Sequence, residues 1–330
     1  MPRRLTSMLR TPPTMSRPSL RVMAVVMSAL VCAAVVVSAG AKVPGANGRI
    51  AFERADPASK EGDTFVFTAN PDGSDVRQLV PSHSCCASWA PDGSKLSIAA
   101  STKDDRITTA TVSPDGSGYE ARTIPDPTLN LECPVWSPDG DRFACEGWDE
   151  VHRRRPKGLF SVRTSDFGGL VRLTRNPYGK NDIPGDYSPN GRRIAFLRGR
   201  PHRPDDQVAV FVAKSDGSRP RRLTRWARTG CCKVSWSPNG RKILFSNGRG
   251  SLLTVRPDGT HLRKIPIELD GRFFAFVAGW SPDGKRIGFT LCRKRCNIYT
   301  MRPNGSDVVQ ITHTRRFKEF DDWGPSPLTP

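Results

Sequence analysis

Several carboxylate side chains in this sequence are spaced closely enough to share one site. Asp182 and Asp186 lie four residues apart, Asp321 and Asp322 are adjacent, and Glu132 immediately precedes a cysteine. Paired carboxyl groups serve as general acid and base in hydrolases and as oxygen ligands for cations. Buried carboxylates more commonly accept structural hydrogen bonds, and we expect that role for most of these. The five residues are therefore candidate binding residues, and we assign no catalytic residue.

The histidines give little support for catalysis or for a metal centre. The chain has five, and only His83 and His313 occupy comparable positions in the repeat described below, so both join the candidate binding residues. A serine hydrolase of the α/β type needs a nucleophile in the pattern G-x-S-x-G, which the sequence does not contain. We therefore favour a protein that is not an enzyme, and we expect no cofactor and no resident metal.

Eight of the nine cysteines follow residue 41, an even number that favours disulfides in an oxidising compartment. Two pairs flank short turns and predict disulfides: Cys133 with Cys145, and Cys292 with Cys296. The other four cysteines form two adjacent doublets, Cys85 with Cys86 and Cys231 with Cys232. The four thiolates of the two doublets could bind zinc together, but paired zinc ligands usually have two to four residues between them, and these cysteines have none. We therefore expect oxidation of the doublets rather than metal binding.

The first 41 residues have the composition of an export signal. The stretch from Arg3 to Arg21 contains five arginines and no acid, and Val22 to Ala39 is a continuous run of apolar and small residues. This order predicts a signal peptide cleaved near Ala39 or Ala41, with an uncleaved membrane anchor as the alternative. Either outcome places the rest of the chain outside the cytoplasm, in a secreted, periplasmic or envelope-tethered form. Cleavage would lower the net charge from +19 to +14, because no acid is lost.

A five-residue motif recurs along the rest of the chain at intervals of 44 to 51 residues. It consists of an aromatic residue, Ser or Ala, Pro, Asp or Asn, and Gly, and it begins at Trp89, Trp136, Tyr187, Trp236 and Trp280. Pro, Asp or Asn, and Gly are typical of tight β-turns. A short alternating strand follows each copy, and a second turn with its two strands completes the unit, the last strand holding segments such as Arg222-Leu223-Thr224. With a shortened copy near the C-terminus, the pattern predicts six repeats of four antiparallel strands.

A four-stranded repeat of this size cannot bury both of its faces alone, so the repeats must pack side by side and close into a ring. The segment that begins at Trp323 has no strands after it, whereas residues 47 to 80 lack a first strand. The two incomplete units therefore complete each other. We expect an all-β, six-bladed β-propeller over residues 42 to 330, closed by pairing of the C-terminal strand with the N-terminal blade.

These Trp-Ser-Pro-Asp-Gly and Asp-Gly-Ser turns resemble the repeats of TolB-type propellers, which are bacterial relatives of the WD-repeat family. The resemblance covers about residues 47 to 327. One departure is that the sequence after the N-terminal segment leaves no room for the α/β domain that precedes the TolB propeller. The same repeat occurs in prolyl-oligopeptidase-type peptidases and in oligogalacturonate lyases, and the histidine-rich metal site of those lyases is not evident here. The resemblance thus implies a fold more strongly than a function.

The two rims of such a propeller differ in their loops. We count the four strands of a blade from the axis outward. On one rim, tight turns join the first strand to the second and the third strand to the fourth. The opposite rim carries longer connections, including residues 54–63, 146–157 and 198–207. We place the acidic candidates, the two histidines and the cysteine doublets in its loops at the channel mouth, and Arg153, Arg154 and Arg155 in another of its loops. Variable loops commonly carry binding residues.

The basic residues on this rim favour an exported, monomeric scaffold that binds a protein or an acidic envelope polymer. Peripheral contact with an anionic membrane surface is a further hypothesis. The alternative function is a polysaccharide-active lyase or hydrolase with its site at the channel mouth. Nucleic acid is disfavoured as a partner despite the net charge of +19, because export separates the chain from it and no base-reading module is recognisable.

Overall fold

The computed structural model describes residues 44–59, 63–101, 107–124, 126, 128–149, 157–201, 207–228 and 233–326. These residues form strands and turns arranged as six antiparallel sheets around a central channel. The six-bladed, all-β propeller predicted from the repeats is therefore confirmed. Within the described segments, no helix is long and apolar enough to cross a membrane. The predicted signal segment, residues 1 to 41, lies outside the described residues.

The strands are numbered along the chain, and blade 1 combines the first three with the last. Blade 1 contains β1 (Asn47–Ala55), β2 (Thr64–Ala69), β3 (Arg77–Gln78) and β25 (Lys318–Pro325). Blade 2 contains β4 (Cys85–Trp89), β5 (Leu96–Ser101), β6 (Ile107–Val112) and β7 (Glu120–Arg122). Blade 3 contains β8 (Leu129–Trp136), β9 (Arg142–Asp149), β10 (Gly158–Arg163) and β11 (Val171–Arg172).

The remaining three blades follow in chain order. Blade 4 contains β12 (Asp182–Tyr187), β13 (Arg193–Arg200), β14 (Gln207–Lys214), β15 (Arg221–Arg222) and the short β16 (Ala227–Arg228), which also pairs with β14. Blade 5 contains β17 (Val234–Trp236), β18 (Ile243–Asn247), β19 (Ser251–Val255) and β20 (Arg263–Lys264). Blade 6 contains β21 (Phe274–Trp280), β22 (Ile287–Cys292), β23 (Cys296–Met301) and β24 (Val309–Gln310).

The Ser-Pro-Asp-Gly turns close through hydrogen bonds that explain the motif. In the turn after β21, the Ser281 hydroxyl donates to Asp283 at 2.7 Å and accepts the backbone N–H of Arg286 at 2.9 Å. Gly284 has a φ of 69°, in the left-handed region that glycine enters without a steric cost. The turns after β12 and β17 repeat the two serine contacts with asparagine in place of aspartate.

The ring closes by pairing of β25 with β1, as the sequence predicts. Trp323 lies opposite Ile50 in this antiparallel ladder, and its indole N–H donates to the Gly48 carbonyl at 3.1 Å. A Cβ atom at position 48 would lie 2.3 Å from the carbonyl oxygen of Pro325, so only glycine fits this close approach. The contact joins residues 275 positions apart and fixes the two ends of the propeller to each other.

The outermost strands are shorter than the sequence predicts. We expected the fourth strand to include the leucine of the Arg-Leu-Thr segment, but in blade 4 the strand ends at Arg222. The Leu223 N–H still donates to the Val210 carbonyl at 2.8 Å, while its side chain is buried in the core. Burial of the leucine thus turns the chain away from the sheet edge. Short outer strands also limit edge-to-edge pairing with other chains.

Aromatic side chains fill the spaces between neighbouring blades. Trp136 of blade 3 donates its indole N–H to the Ser97 hydroxyl of blade 2 at 3.0 Å. Phe320 of blade 1 packs against Gly288 of blade 6, where a Cβ atom would lie 2.3 Å from the phenyl ring. Each blade therefore stabilises its neighbours through contacts that a single sheet could not make.

Three disulfides are present among the described cysteines, in agreement with the disulfides expected from the sequence. They join Cys133 to Cys145, Cys292 to Cys296, and the adjacent Cys85 to Cys86. The first connects β8 with β9, the second closes the β22–β23 hairpin, and the third lies at the start of β4. Cys231 and Cys232 lie outside the described residues. Disulfides of this kind are typical of oxidising compartments.

Candidate functional site

The acidic candidates lie on the innermost strands rather than in the loops where we expected them. Glu132 is in β8, Asp182 and Asp186 are in β12, and Asp321 and Asp322 are in β25; all five are buried. These strands reach farther toward the rim of long connections than the motif indicates. The pairing of β8, β12 and β25 with their neighbours shifts register at one or more points. Such irregularities let a strand continue through residues whose polar and apolar side chains do not alternate strictly. The candidates therefore belong to the strands nearest the axis of the propeller.

Two pairs of glutamates lie directly opposite each other across paired strands. Glu53 of β1 is opposite Glu319 of β25, and Glu132 of β8 is opposite Glu146 of β9. Burial raises the pKa of Glu146 to about 8. Burial, reinforced by the nearby Glu146 and Glu53, raises the pKa of Glu132 well above its usual range, and burial with Glu53 does the same for Glu319. These carboxyl groups therefore retain their protons to higher pH than exposed ones do.

One buried lysine supplies positive charge to this region. Lys233, only 1% exposed, donates to the carbonyl oxygen of Asp321 and lies 3.6 Å from the Asp322 carboxylate. Its ammonium group is also 5.3 Å from the centre of the Phe320 ring, within the range of a cation–π contact. A buried charge is tolerated when it is paired. Lys233 therefore links blade 5 to the closing strand β25.

Asp186 and Asp322 make hydrogen bonds between blades. The Asp186 carboxylate accepts the backbone N–H of Trp236 at 2.8 Å, and the Asp322 carboxylate accepts that of Trp89 at 3.1 Å. In both cases the donor belongs to the aromatic residue that begins the motif of the next blade. These contacts agree with the structural role expected from the sequence.

Asp182 forms a buried ion pair within blade 4. Arg198 donates to its two carboxylate oxygens at 2.8 and 2.6 Å, and the Thr174 hydroxyl donates to it at 2.6 Å. Asp182 is fully buried and Arg198 is 5% exposed. A two-pronged arginine–carboxylate pair is among the strongest polar contacts in proteins. Asp182 is therefore engaged by the fold rather than free to bind a ligand.

The two candidate histidines lie apart from the five acidic candidates. His83 Nε2 lies 2.7 Å from Asp56, its Nδ1 lies 3.4 Å from Asp63, and its ring packs on Phe65. His313 is exposed in the connection between β24 and β25. The predicted basic loop residues, Arg153, Arg154 and Arg155, lie outside the described residues.

One group of potential metal ligands is present in the described part of the chain. Potential ligand atoms of Glu53, Cys85 and Cys86 lie within 4.8 Å of one another. The Cys86 backbone N–H also donates to the Glu53 carboxylate at 2.9 Å. Because the two sulfur atoms are joined in a disulfide, neither serves as a thiolate ligand in this state.

An aromatic and basic patch lies on the rim of long connections at blade 4. We define this blade-4 patch as Tyr178, Trp226, Arg200 and Arg222. The Tyr178 ring meets the Trp226 ring edge-on at 5.5 Å, and the guanidinium groups of Arg200 and Arg222 lie 4.5 and 5.6 Å from the Trp226 ring centre. Tyr178 is 44% exposed. Among the described residues, neither arginine forms an ion pair.

Sequence reasoning missed Glu53, Glu146 and Lys233 as charged residues near the acidic candidates, and it missed the blade-4 patch. A signal for Glu146 was its place between the apolar residues 143–145 and Trp148 of β9, because charged residues are rarely buried without a reason. Lys233 and the patch carried no local signal. Their contacts join residues from different blades or connections, and those contacts depend on the closed ring.

No protein-family model matches the sequence. The chain is 31% identical over 167 residues to an uncharacterised protein of Agrobacterium fabrum, Atu1656, covering 47% of this chain and 52% of that protein. It is 27% identical over 150 residues to the uncharacterised peptidase YuxL of Bacillus subtilis, covering 43% of this chain and 21% of the peptidase. The chain thus spans about half of the first relative and a fifth of the second.

Solved structures with the same fold include two TolB proteins. TolB from Acinetobacter baumannii aligns with a TM-score of 0.67 at 17% identity, covering 86% of this chain and 68% of TolB. A putative TolB from Agrobacterium tumefaciens aligns with a TM-score of 0.61 at 16% identity, covering 84% and 99%. An oligogalacturonate lyase in complex with manganese gives a TM-score of 0.50 at 14% identity, covering 81% and 74%. The structure therefore shares the β-propeller fold of these TolB structures.

Proposed function

We propose that this protein is an exported, non-enzymatic scaffold that binds an acidic segment of a partner protein on the rim of long connections. The blade-4 patch carries this proposal, because it presents an exposed tyrosine and a tryptophan that is in contact with two guanidinium groups. Tyrosine, tryptophan and arginine are the residue types that dominate the energetic centres of protein interfaces.

The charge of the patch favours an acidic partner. Arg222 is exposed, and Arg200 is held in place by two hydrogen bonds from its guanidinium to the Gln207 side chain, at 3.0 and 2.6 Å. A guanidinium fixed in this way loses little conformational entropy on binding a carboxylate. The net charge, +19 for the full sequence and +14 after the predicted cleavage, also attracts acidic partners over longer distances.

The N-terminal segment and the disulfides support export. The arginine-rich start followed by an apolar run has the order of a signal peptide. Three disulfides are compatible with an oxidising compartment, such as the periplasm or the cell exterior. In this proposal the propeller works outside the cytoplasm, as a monomer.

The second candidate function is a polysaccharide-active lyase or hydrolase with its site in the channel. The opposed pair Glu132 and Glu146 favours it, because buried carboxyl groups with raised pKa values are typical general acids. The oligogalacturonate lyase with the same fold is consistent with such a site. We favour binding because Asp182, Asp186 and Asp322 are engaged in contacts that hold the blades.

Fluorescence polarisation with labelled poly-L-glutamate as the acidic probe tests the proposal. The variants are Tyr178→Ala and Arg222→Ala, which change exposed side chains. The matched control is Arg263→Ala, which removes one positive charge, as Arg222→Ala does, at an exposed position on the outer strand of blade 5. We expect each test variant to weaken binding by roughly 10-fold or more, and the control to change it less than about 2-fold.

Equal losses in all three variants would show only diffuse electrostatic attraction and would contradict the proposed patch. Tighter binding of polygalacturonate than of poly-L-glutamate at matched charge would assign the patch to an acidic polymer instead of a protein. Appearance of unsaturated or shortened products from polygalacturonate, lost in Glu132→Gln, would establish the enzymatic alternative.

A further inference from the structure

We propose that the adjacent cysteines Cys85 and Cys86 form a redox-controlled metal site, in which reduction of their disulfide allows the two thiolates and the Glu53 carboxylate to bind one zinc ion. The oxidised protein lacks this site because both sulfur atoms are bonded to each other.

The backbone places both cysteine side chains on one side of β4. Successive side chains of a regular strand point to opposite faces, so adjacent cysteines would ordinarily diverge. Here Cys86 has a φ of 69°, in the left-handed region, and the pairing of β4 with β5 shifts register between Cys85 and Ser88. The result brings both sulfur atoms toward the carboxylate of Glu53, which accepts the Cys86 N–H at 2.9 Å.

The three side chains match the ligand chemistry of zinc. Thiolate sulfur binds zinc at about 2.3 Å and carboxylate oxygen at about 2.0 to 2.2 Å. The candidate atoms already lie within 4.8 Å of one another, so small side-chain rotations bring all three to one ion. Three protein ligands leave the fourth tetrahedral position open to water or to a ligand of the partner.

This disulfide should open before the other two. It lies at the start of β4, where Cys85 is half-buried and Cys86 is buried, so a reductant reaches it more readily than the fully buried Cys133–Cys145 bond. The disulfide also closes no loop of intervening residues, so it gains none of the chain-entropy stabilisation that separations of 4 and 12 residues give the Cys292–Cys296 and Cys133–Cys145 bonds.

The reaction needs an external dithiol as reductant. Two thiol groups of the reductant transfer two electrons and two protons to the sulfur–sulfur bond, which yields two cysteine thiols and a disulfide in the reductant. Binding of Zn²⁺ then displaces the two thiol protons to solvent. No further oxidant or cofactor is required.

The test uses the full chain carrying Cys231→Ser and Cys232→Ser, so that the second doublet does not contribute thiols. Graded dithiothreitol followed by alkylation and mass spectrometry identifies which disulfide opens first. Competition with a coloured zinc chelator then measures zinc retained by the oxidised and reduced forms. We expect Cys85 and Cys86 to be alkylated first, and the reduced form to retain one zinc ion more than the oxidised form.

Glu53→Gln should weaken zinc binding by about 10-fold or more, and Cys85→Ser should abolish it. The matched control is Cys292→Ser with Cys296→Ser, which should leave zinc retention unchanged. If Cys85→Ser does not fold, alkylated wild-type protein replaces it and should retain no zinc. Opening of Cys292–Cys296 before Cys85–Cys86, or zinc retention that is insensitive to Glu53→Gln and to alkylation, would overturn the proposal.

Discussion

The buried Glu146 contributes to the pH dependence of stability, and Glu146→Gln should remove that contribution. Its side chain is 2% exposed and has a pKa of about 8, against an ordinary value of 4.5, mainly because burial disfavours the charged form. The unfolded chain releases this proton near pH 4.5, whereas the folded chain keeps it to about pH 8. The folded state therefore binds more protons over that window, and its stability falls as the pH rises through it.

The size of the effect follows from the two pKa values. At pH 7 the cost to the wild-type protein is about 3 kcal/mol, and at pH 5 it is about 1 kcal/mol. Glutamine cannot ionise, and its carbonyl oxygen can still accept the hydrogen bond that Asn181 donates to Glu146. The variant should therefore be more stable than the wild type by about 3 kcal/mol at pH 7, and by about 1 kcal/mol at pH 5.

Urea unfolding at pH 5, 6, 7 and 8 measures this difference, with Glu268→Gln as the control because Glu268 is exposed. Thermal unfolding should show the same trend, at about 2 to 4 °C per kcal/mol for a domain of this size. Parallel pH profiles for Glu146→Gln and the wild type, or a variant less stable at pH 7, would refute the reasoning.

Three further substitutions test the contacts that hold the blades, each by urea unfolding. Arg198→Met leaves the buried Asp182 carboxylate unpaired and should lower the free energy of unfolding by about 3 to 5 kcal/mol. Adding Asp182→Leu should recover much of that loss, and equal losses in the single and double variants would contradict a paired buried charge. Asp186→Ala removes the acceptor for a backbone N–H of the next blade and should cost about 1 to 3 kcal/mol, with Asp186→Asn nearer the wild type; identical losses would contradict this role. Gly288→Ala places a methyl group against the Phe320 ring and should cost about 1 to 3 kcal/mol, so an unchanged midpoint would contradict the close packing.

The repeat determined how much of the fold could be predicted. Each Ser-Pro-Asp-Gly turn encodes its own geometry, because Ser281 and Asp283 satisfy the turn within a few residues. Ring closure also followed from the sequence, since the Trp323 segment lacked partners and residues 47 to 80 lacked an inner strand. Both inferences rest on local chemistry or on counting strands.

The candidate site was harder to predict because its contacts cross between blades. The sequence identified Asp186 and Asp322 as acids near the channel, but which backbone N–H each accepts depends on the packing of the next blade. The opposition of Glu132 and Glu146 depends on register, which a bulge in β8 shifts. The pairing of Tyr178 with Trp226 joins two separate connections between blades, and no spacing in the sequence reports it.

The central claim is that partner binding occurs at the blade-4 patch, and hydroxyl-radical footprinting with mass spectrometry tests it most directly. The full chain is oxidised with and without poly-L-glutamate, and the modification of each aromatic residue is compared. Tyr119 provides the control, because it is 46% exposed on the rim of tight turns. We predict that the acidic probe protects Tyr178 and Trp226 and leaves Tyr119 unchanged. Protection of Tyr119 with no protection of Tyr178 and Trp226 would contradict the account.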